Sequence, residues 1–74
     1  MERFGEKLRI LRERDGLSLR KLAALLGHTS HSLITDVEKG IKKPSAELVV
    51  KLADIFHVTT DQLLRDDQEV NSRA

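Results

Sequence analysis

The stretch that decides the fold runs from Leu17 to Pro44 and reads LSLRKLAALLGHTSHSLITDVEKGIKKP. Ser18 and Ser30 stand where helix N-caps are expected, because a side-chain oxygen there can accept an unpaired backbone N–H of the first turn. Gly27 stands where the first of two helices must end, since glycine takes the left-handed conformation after a helix without strain. The stretch therefore predicts two short helices joined by a tight turn.

The first of these helices is expected from about residue 18 to 26, and the second from about residue 30 to 39. Two helices joined so closely pack at a large angle over a small shared apolar seam. The expected seam consists of Leu22, Ala23, Leu26, Ile34 and Val37. The outer face of the second helix is then left free and polar.

Three further helices are predicted around this unit. Apolar residues in the range 4–11 recur at i, i+4 and i+7, which indicates a first helix over about residues 2–14. Ser45 is positioned to cap a fourth helix, which follows a turn. Thr59, with Gln62 three residues later, forms a capping-box pattern for a short fifth helix.

Five helices with short loops predict an all-α fold, a single compact five-helix bundle, and 74 residues leave room for one small domain only. We expect the domain to span residues 1–65. Residues 66–74, DDQEVNSRA, are polar and without period, so they are expected to form a flexible C-terminal tail.

Composition excludes several classes of protein. No apolar run approaches the ~18 residues of a membrane span, and the N-terminus lacks a signal-peptide core, so a cytoplasmic location is expected. Cysteine is absent, which excludes disulfides and thiolate metal sites. No catalytic motif occurs, and His28 and His31 have no third metal ligand nearby in the sequence. We therefore expect no enzyme activity, no metal and no cofactor.

Charge is distributed unevenly along the chain although the net charge is only +1. Residues 17–44 hold five Lys/Arg against two Asp/Glu, whereas residues 45–74 hold three against six. The positive excess therefore lies on the two-helix unit and the loop behind it, on the side where a polyanion would dock.

The order of motifs resembles a known family. The pattern L-S-x-x-K-L-A-x-x-L-G, then S-x-S-x-I-x-x-V-E-K-G, then K-K-P-S, is similar to the phage-repressor/Cro (Xre-like) helix-turn-helix transcriptional regulators, and the likeness covers residues 4–64. The resemblance implies a lambda-repressor-like DNA-binding domain. In that family helix 3 enters the major groove and helix 2 lies across the DNA backbone.

The resemblance also assigns candidate DNA contacts. Positions that match the base-reading residues of the family carry His31, Ser32, Thr35 and Asp36. Candidate phosphate contacts are Arg20, Lys21, Thr29, Ser30, Lys39, Lys42 and Lys43. The alternative for both sets is a merely solvated surface. The turn is one residue longer than the commonest family pattern. Two registers of helix 3, which differ by one residue, therefore remain open for the assignment of His31 and Ser32.

Two other positions follow from the family pattern. Arg12 on helix 1 and Glu38 on helix 3 are expected to form a structural ion pair that fixes how helix 3 stands on the body. Leu19 occupies a position where many members place a DNA-contacting glutamine, and it is expected to pack instead.

Several leucines and their neighbours exceed what one small core needs. We expect a homodimer seam on helices 4 and 5, formed by Leu48, Ile55, Val58 and Leu64. A homodimer would set two recognition helices about 34 Å apart, on a roughly palindromic operator of double-stranded DNA. The expected function is that of a repressor or controller of transcription. The alternative is a protein–protein interaction module, an antitoxin or adaptor, of the same fold.

Overall fold

The computed structural model describes residues 2–27 and 31–70, and within these ranges it contains five α-helices and no strand. The helices are α1 (Phe4–Arg14), α2 (Leu19–Leu25), α3 (Ser32–Glu38), α4 (Ala46–Phe56) and α5 (Thr60–Leu64). None of them combines the length and apolar character that a membrane span requires. The expected all-α, five-helix architecture is confirmed.

One apolar core joins the five helices. α1 packs against α3 and α5, α2 packs against α3, and α4 packs against α5. The side chains at its centre are Leu8, Leu11, Leu22, Ile34, Leu52, Phe56 and Leu63. Every helix contributes at least one of them, so detachment of any helix from the core would expose apolar surface to water.

Local capping fixes three of the helix starts where the sequence predicts them. The Ser18 hydroxyl accepts the Lys21 N–H at 3.0 Å at the start of α2. The Ser45 hydroxyl accepts the N–H three residues on, at 3.1 Å, at the start of α4. At α5 the capping box is complete, because Thr59 Oγ1 accepts the Gln62 N–H at 3.0 Å and Gln62 Oε1 accepts the Thr59 N–H at 2.9 Å.

The turn between α2 and α3 departs from expectation at its far end. Gly27 has φ +84°, the left-handed conformation predicted for it. α3, however, begins at Ser32, two residues later than expected, and its N-cap is His31, whose side chain makes no capping bond. The first helical hydrogen bond of α3 runs from the Thr35 N–H to the His31 carbonyl at 3.0 Å, which defines His31 as the N-cap residue. Ser30 lies outside the described residues.

The start of α1 is held by the opposite end of the chain. α1 begins at Phe4, and Arg3 at its N-cap supplies no side-chain acceptor. Instead the Asp66 carboxylate accepts the Arg3 N–H at 3.0 Å through Oδ1 and the Glu2 N–H at 3.1 Å through Oδ2. An acidic side chain is stabilising there, because the first N–H groups of a helix are unpaired and carry partial positive charge.

Residues 62–70, which we term the C-terminal clasp, therefore belong to the folded body. The Arg3 guanidinium contacts the Glu69 carboxylate at 2.8 Å, and Val70 is 2% exposed. The expectation that the domain ends at residue 65 and that a flexible tail starts at 66 is thus wrong for residues 66–70. It failed because the partners of these polar residues lie more than 60 positions away in the sequence. Residues 71–74 lie outside the described part.

A buried lysine completes the clasp. Lys7 is fully buried on α1, and its Nζ donates to the Gln62 carbonyl at 2.6 Å and to the Arg65 carbonyl. These carbonyls belong to the last turn and end of α5, where unpaired acceptors favour a cation. Lys7 therefore joins the C-terminal end of α5 to α1.

Candidate nucleic-acid interface

α3 presents a buried face and an outer face. Ile34 and Val37 are buried against the body. The outer face carries residues spaced i, i+3, i+4 and i+7, which lie on one side of a helix. These residues are Ser32, Thr35, Asp36 and Lys39, with His31 just before them. The candidate base-reading residues of the sequence analysis therefore share one surface, and His31 and Ser32 are exposed on it.

An ion pair fixes α3 to α1. Arg12 Nε donates to Glu38 Oε2 at 2.6 Å and Arg12 Nη2 to Glu38 Oε1 at 3.2 Å, a two-pronged contact. Arg12 Nη1 also donates to the Leu17 carbonyl at 2.9 Å. The side chains are only 15% and 9% exposed, and the hydrogen bond to Glu38 raises the pKa of Arg12. The contact expected between these two residues is present.

The backbones of α1 and α3 also approach closely. A Cβ added to Gly5 would lie 2.5 Å from the Glu38 carbonyl oxygen and 2.6 Å from that of Val37. Only a residue without a side chain fits between α1 and the end of α3. Gly5 was not predicted as a site residue, although a glycine inside a helical pattern is itself a signal of close packing.

Both carboxylates on the basic unit have a cationic partner. Glu38 pairs with Arg12, and Asp36 lies 3.8 Å from Lys42 Nζ. Among the described residues, four cationic side chains of the unit have no carboxylate partner. These are Arg20, Lys21, Lys39 and Lys43, all exposed. Pairing therefore removes much of the local negative charge and leaves these cations available to an anion.

A shallow groove places the start of α2 beside the outer face of α3. It is lined by Arg9, Leu19, Thr35 and Lys39, together with the ion pair. Leu19 is half-buried and packs against the core, as expected from the sequence. The groove thus brings helix 2 and helix 3 side chains to one surface.

The remaining candidates divide into three groups. Lys39 and Lys43 are exposed after α3, Arg20 and Lys21 in the first turn of α2. Thr35 is half-buried, and its Oγ1 donates to the His31 carbonyl at 3.2 Å. Thr29 and Ser30, expected to contact phosphate, lie outside the described residues.

The four apolar residues expected at a dimer seam do not form one surface. Leu48 is 6% exposed and belongs to the core, so its place in an exposed seam is corrected. It faces inward because its position on α4 falls in the same helical row as Leu52. Ile55 lines a groove with exposed Leu25, whereas Leu64 lines a separate apolar patch. Val58 is partly buried against the core.

The second patch, which we term the α4–α5 patch, was not foreseen as a unit. It is lined by Pro44, Ala46, Val49, Val50, Thr60 and Leu64. Val50, one of these lining residues, is 52% exposed. Helical period predicts that Val49 faces the core and Val50 does not, but no local pattern shows that Pro44, Thr60 and Leu64 lie beside Val50.

Comparison with known proteins relates this arrangement to others. Residues 3–66 match the family described as Helix-turn-helix domain. The chain is 36% identical over 64 residues to the HTH-type transcriptional regulator AnsR of Bacillus subtilis (strain 168), covering 86% of this chain and 54% of AnsR. It is 31% identical over 62 residues to the uncharacterized HTH-type transcriptional regulator YazB of the same organism, covering 84% and 88%. The chain thus spans about half the length of AnsR.

A solved structure shows the same fold. The restriction-modification controller protein C.AhdI from Aeromonas hydrophila matches with a TM-score of 0.74 and 35% identity, covering 84% of this chain and 92% of that protein. The expected fold is therefore confirmed, and with it a helix-turn-helix domain of the transcriptional-regulator type. The chain belongs to the Helix-turn-helix domain family.

Proposed function

We propose that this protein regulates transcription by placing α3 in the major groove of double-stranded DNA. The proposal depends on one observation: the outer face of α3 does not pack into the core, and exposed cations lie beside it. The major groove admits an α-helix, and its base edges offer hydrogen-bond donors and acceptors to short polar side chains. The names of AnsR, YazB and C.AhdI, all regulators or controllers, support the same conclusion by similarity.

Base recognition is assigned to the exposed start of α3. His31 can donate to the N7 or O6 acceptors of guanine, and Ser32 can contact several bases. Thr35 contributes its methyl group to a thymine methyl, because its hydroxyl is engaged by the His31 carbonyl. Asp36 can accept from the N4 amino group of cytosine, and Lys42 beside it offsets its repulsion by phosphate.

Phosphate binding is assigned to the cations that flank α3. Arg20 and Lys21 would contact one strand from α2, and Lys39 and Lys43 the other side of the groove. Thr29 and Ser30 stay candidates on sequence grounds, and Lys42 contributes in part. The logarithm of the binding constant falls linearly with the logarithm of the salt concentration, with a slope of about −0.9 for each phosphate that is neutralised. Four cations without a carboxylate partner therefore predict a salt slope of about −3 to −4 per protomer.

We propose further that the protein acts as a homodimer through the α4–α5 patch. Exposed Val50 on α4 and half-buried Leu64 on α5 make this patch an apolar surface that both helices expected to form the seam contribute to. A single small module buries limited surface on DNA, so two half-sites are needed for tight specific binding. Symmetry then predicts a roughly palindromic operator with half-sites about 34 Å apart, or a multiple of that spacing.

Selection of bound duplexes from a random pool tests the proposal. The expected result is a repeated half-site with fixed spacing, bound with an affinity that falls steeply as salt rises. The Lys43→Ala variant should lower affinity for all duplexes, whereas Lys51→Ala on α4, where Glu47 is the neighbour at 3.7 Å, should not. A pool without enriched sequence, and binding indifferent to salt, would favour the protein-interaction module instead.

A further inference from the structure

Gly5 lies in the first turn of α1, where this helix crosses the C-terminal end of α3. The place that a Cβ would occupy is 2.5 Å from the Glu38 carbonyl oxygen, 2.6 Å from that of Val37 and 2.9 Å from the Glu38 carbonyl carbon. All three atoms are backbone, so no side chain can rotate away to make room. A methyl group at Gly5 would therefore force the two helices apart by about 1 Å to reach ordinary van der Waals distance.

Backbone conformation does not account for this glycine. Gly5 lies within α1 and is absent from the residues with positive φ, unlike Gly16, Gly27 and Gly40. Glycine in a helix is less favourable than alanine, because it loses more conformational freedom on folding. The close approach to α3 is thus the feature of the structure that requires a glycine at this position.

α1 holds Glu38 at two points. Gly5 sets the distance to the Glu38 carbonyl, and Arg12 binds the Glu38 carboxylate through two hydrogen bonds. Gly5 and Arg12 are seven positions apart, which is two helical turns along one face of α1. The last residue of α3 is thereby fixed in both position and orientation.

We propose that Gly5 is a positioning residue for DNA recognition: its missing side chain sets the spacing of α1 and α3, and this spacing decides where the outer face of α3 stands in the groove. The inference rests on the proposed function, since it concerns how that face meets base edges. Base-edge hydrogen bonds tolerate little displacement. The flanking cations make longer-range contacts with phosphate, which a shift of this size changes less.

The test compares Gly5→Ala with Gly16→Ala. Both variants add the same methyl group, but at Gly16 it would enter open space, and the cost there comes only from a left-handed backbone with φ +68°. Each variant is brought to a temperature at which circular dichroism shows it folded. Its dissociation constants are then measured for the selected operator and for an unrelated duplex at one salt concentration.

We expect Gly5→Ala to lower the ratio of operator affinity to unrelated-duplex affinity by about tenfold, equivalent to one good base contact. Affinity for the unrelated duplex and its salt slope should stay as in the wild type. Gly16→Ala should keep the wild-type ratio, because the added methyl group has no atom within 4 Å and leaves the contact between α1 and α3 unchanged. A folded Gly5→Ala protein with the wild-type ratio would overturn the inference.

A second variant covers the case in which Gly5→Ala does not fold. Arg12→Lys keeps the charge but loses the two-pronged contact, so it loosens α3 on α1 without adding volume. We expect a folded protein with a reduced ratio of operator affinity to unrelated-duplex affinity. An unchanged ratio would contradict the inference that contacts with α1 position α3 for base recognition. If the wild-type protein itself shows no preference for any duplex, the proposed function fails. If the wild-type protein prefers the operator and neither change reduces that preference, only the inference about Gly5 is contradicted.

Discussion

At the scale of single residues, Glu38 is the point through which α3 is fixed to the body. Its carboxylate is bound by Arg12, and its carbonyl lies against Gly5. Because the ion pair is mostly covered, removal of one partner leaves a charge that water solvates poorly. Removing one partner of this pair is therefore expected to cost more than removing one partner of an exposed ion pair, whose contribution is about 0–1 kcal/mol.

Replacement of Glu38 by glutamine tests that difference. We expect Glu38→Gln to lower the free energy of unfolding by about 1–3 kcal/mol, because the guanidinium loses its charged acceptor. The control is Glu13→Gln, where the partner Arg9 lies at 3.2 Å and both side chains are more than half exposed. For the control, urea unfolding should show a loss of unfolding free energy of less than about 0.5 kcal/mol. Equal losses in both variants would contradict a special role for Glu38.

Base contacts and phosphate contacts can be distinguished experimentally, because only base contacts make affinity depend on the DNA sequence. Lys43→Ala should weaken binding to every duplex similarly and flatten the salt slope by about one unit. Ser32→Ala should instead change the preference at one position of each half-site. Titration of the two variants against a panel of single-base operator changes measures both effects. Uniform loss across the panel for Ser32→Ala would exclude a base contact.

At the scale of secondary-structure elements, α5 and the clasp hold α1 in place. α5 has only five residues and depends on its cap and on packing, because so short a helix is unstable alone. Its capping box at one end and Lys7 at the other satisfy groups that the helix itself leaves unpaired. Stability of the clasp therefore depends on both ends of α5.

Thr59→Ala tests the N-terminal end. Loss of the capping hydroxyl should cost about 1 kcal/mol of unfolding free energy. Thr60→Ala, one residue later and without a capping bond, should cost less than half as much. Thermal unfolding of the two variants measures the difference. A larger loss for Thr60→Ala would mean that packing in the α4–α5 patch, not the cap, decides the stability of α5.

The clasp also predicts a dependence of stability on pH. The hydrogen bonds from the backbone N–H groups of Arg3 and Glu2 lower the pKa of Asp66 in the folded protein. A lowered folded pKa means that the contact stabilises the fold above the unfolded pKa and ceases to do so as pH falls through the folded pKa. Asp66→Asn should therefore lower Tm at neutral pH, and its difference from the wild type should shrink below about pH 4.

The matched control for that experiment is Asp54→Asn on the exposed side of α4. Its Tm should stay close to the wild-type value at neutral pH. A constant difference between Asp66→Asn and the wild type from neutral to acid pH would show that the carboxylate does not stabilise α1 through its charge.

The clasp also shows where prediction from sequence ends. Caps at Ser18, Ser45 and Thr59 were predictable, because donor and acceptor lie three residues apart. The contacts of Asp66 and Lys7 join positions more than 50 residues apart, and nothing in the local pattern distinguishes them from solvated charges. The outer face of α3 was predictable from helical period and family resemblance. Its anchoring by Gly5 was not, since it depends on the distance between two helices.

At the scale of the whole molecule, the exposed cations and the α4–α5 patch lie mainly on different helices and adjoin at Lys43 and Pro44. The unpaired cations flank α2 and α3, while the α4–α5 patch is formed by the last two helices and Pro44. This arrangement gives the proposed contacts with DNA and with a second protomer largely separate helices. It also leaves the Leu25–Ile55 groove as a distinct apolar surface.

Association through the α4–α5 patch predicts a specific effect of charge. Val50→Glu should shift the protein from dimer to monomer in sedimentation at micromolar concentration, because a carboxylate would be buried in an apolar seam. Leu25→Glu makes a comparable change at a residue 57% exposed in the other groove and should leave the dimer intact. Dissociation by Leu25→Glu alone would move the seam to that groove.

The contact between α3 and the major groove can be measured directly by photocrosslinking. 5-Iodouracil in place of thymine in the selected half-site puts a reactive atom in the major groove, and the peptide it joins can be sequenced. We predict attachment within residues 31–39, lost when the iodinated base lies outside the half-sites. Attachment to α4, α5 or the clasp would contradict the orientation of the protein on DNA and, with it, the function assigned to α3.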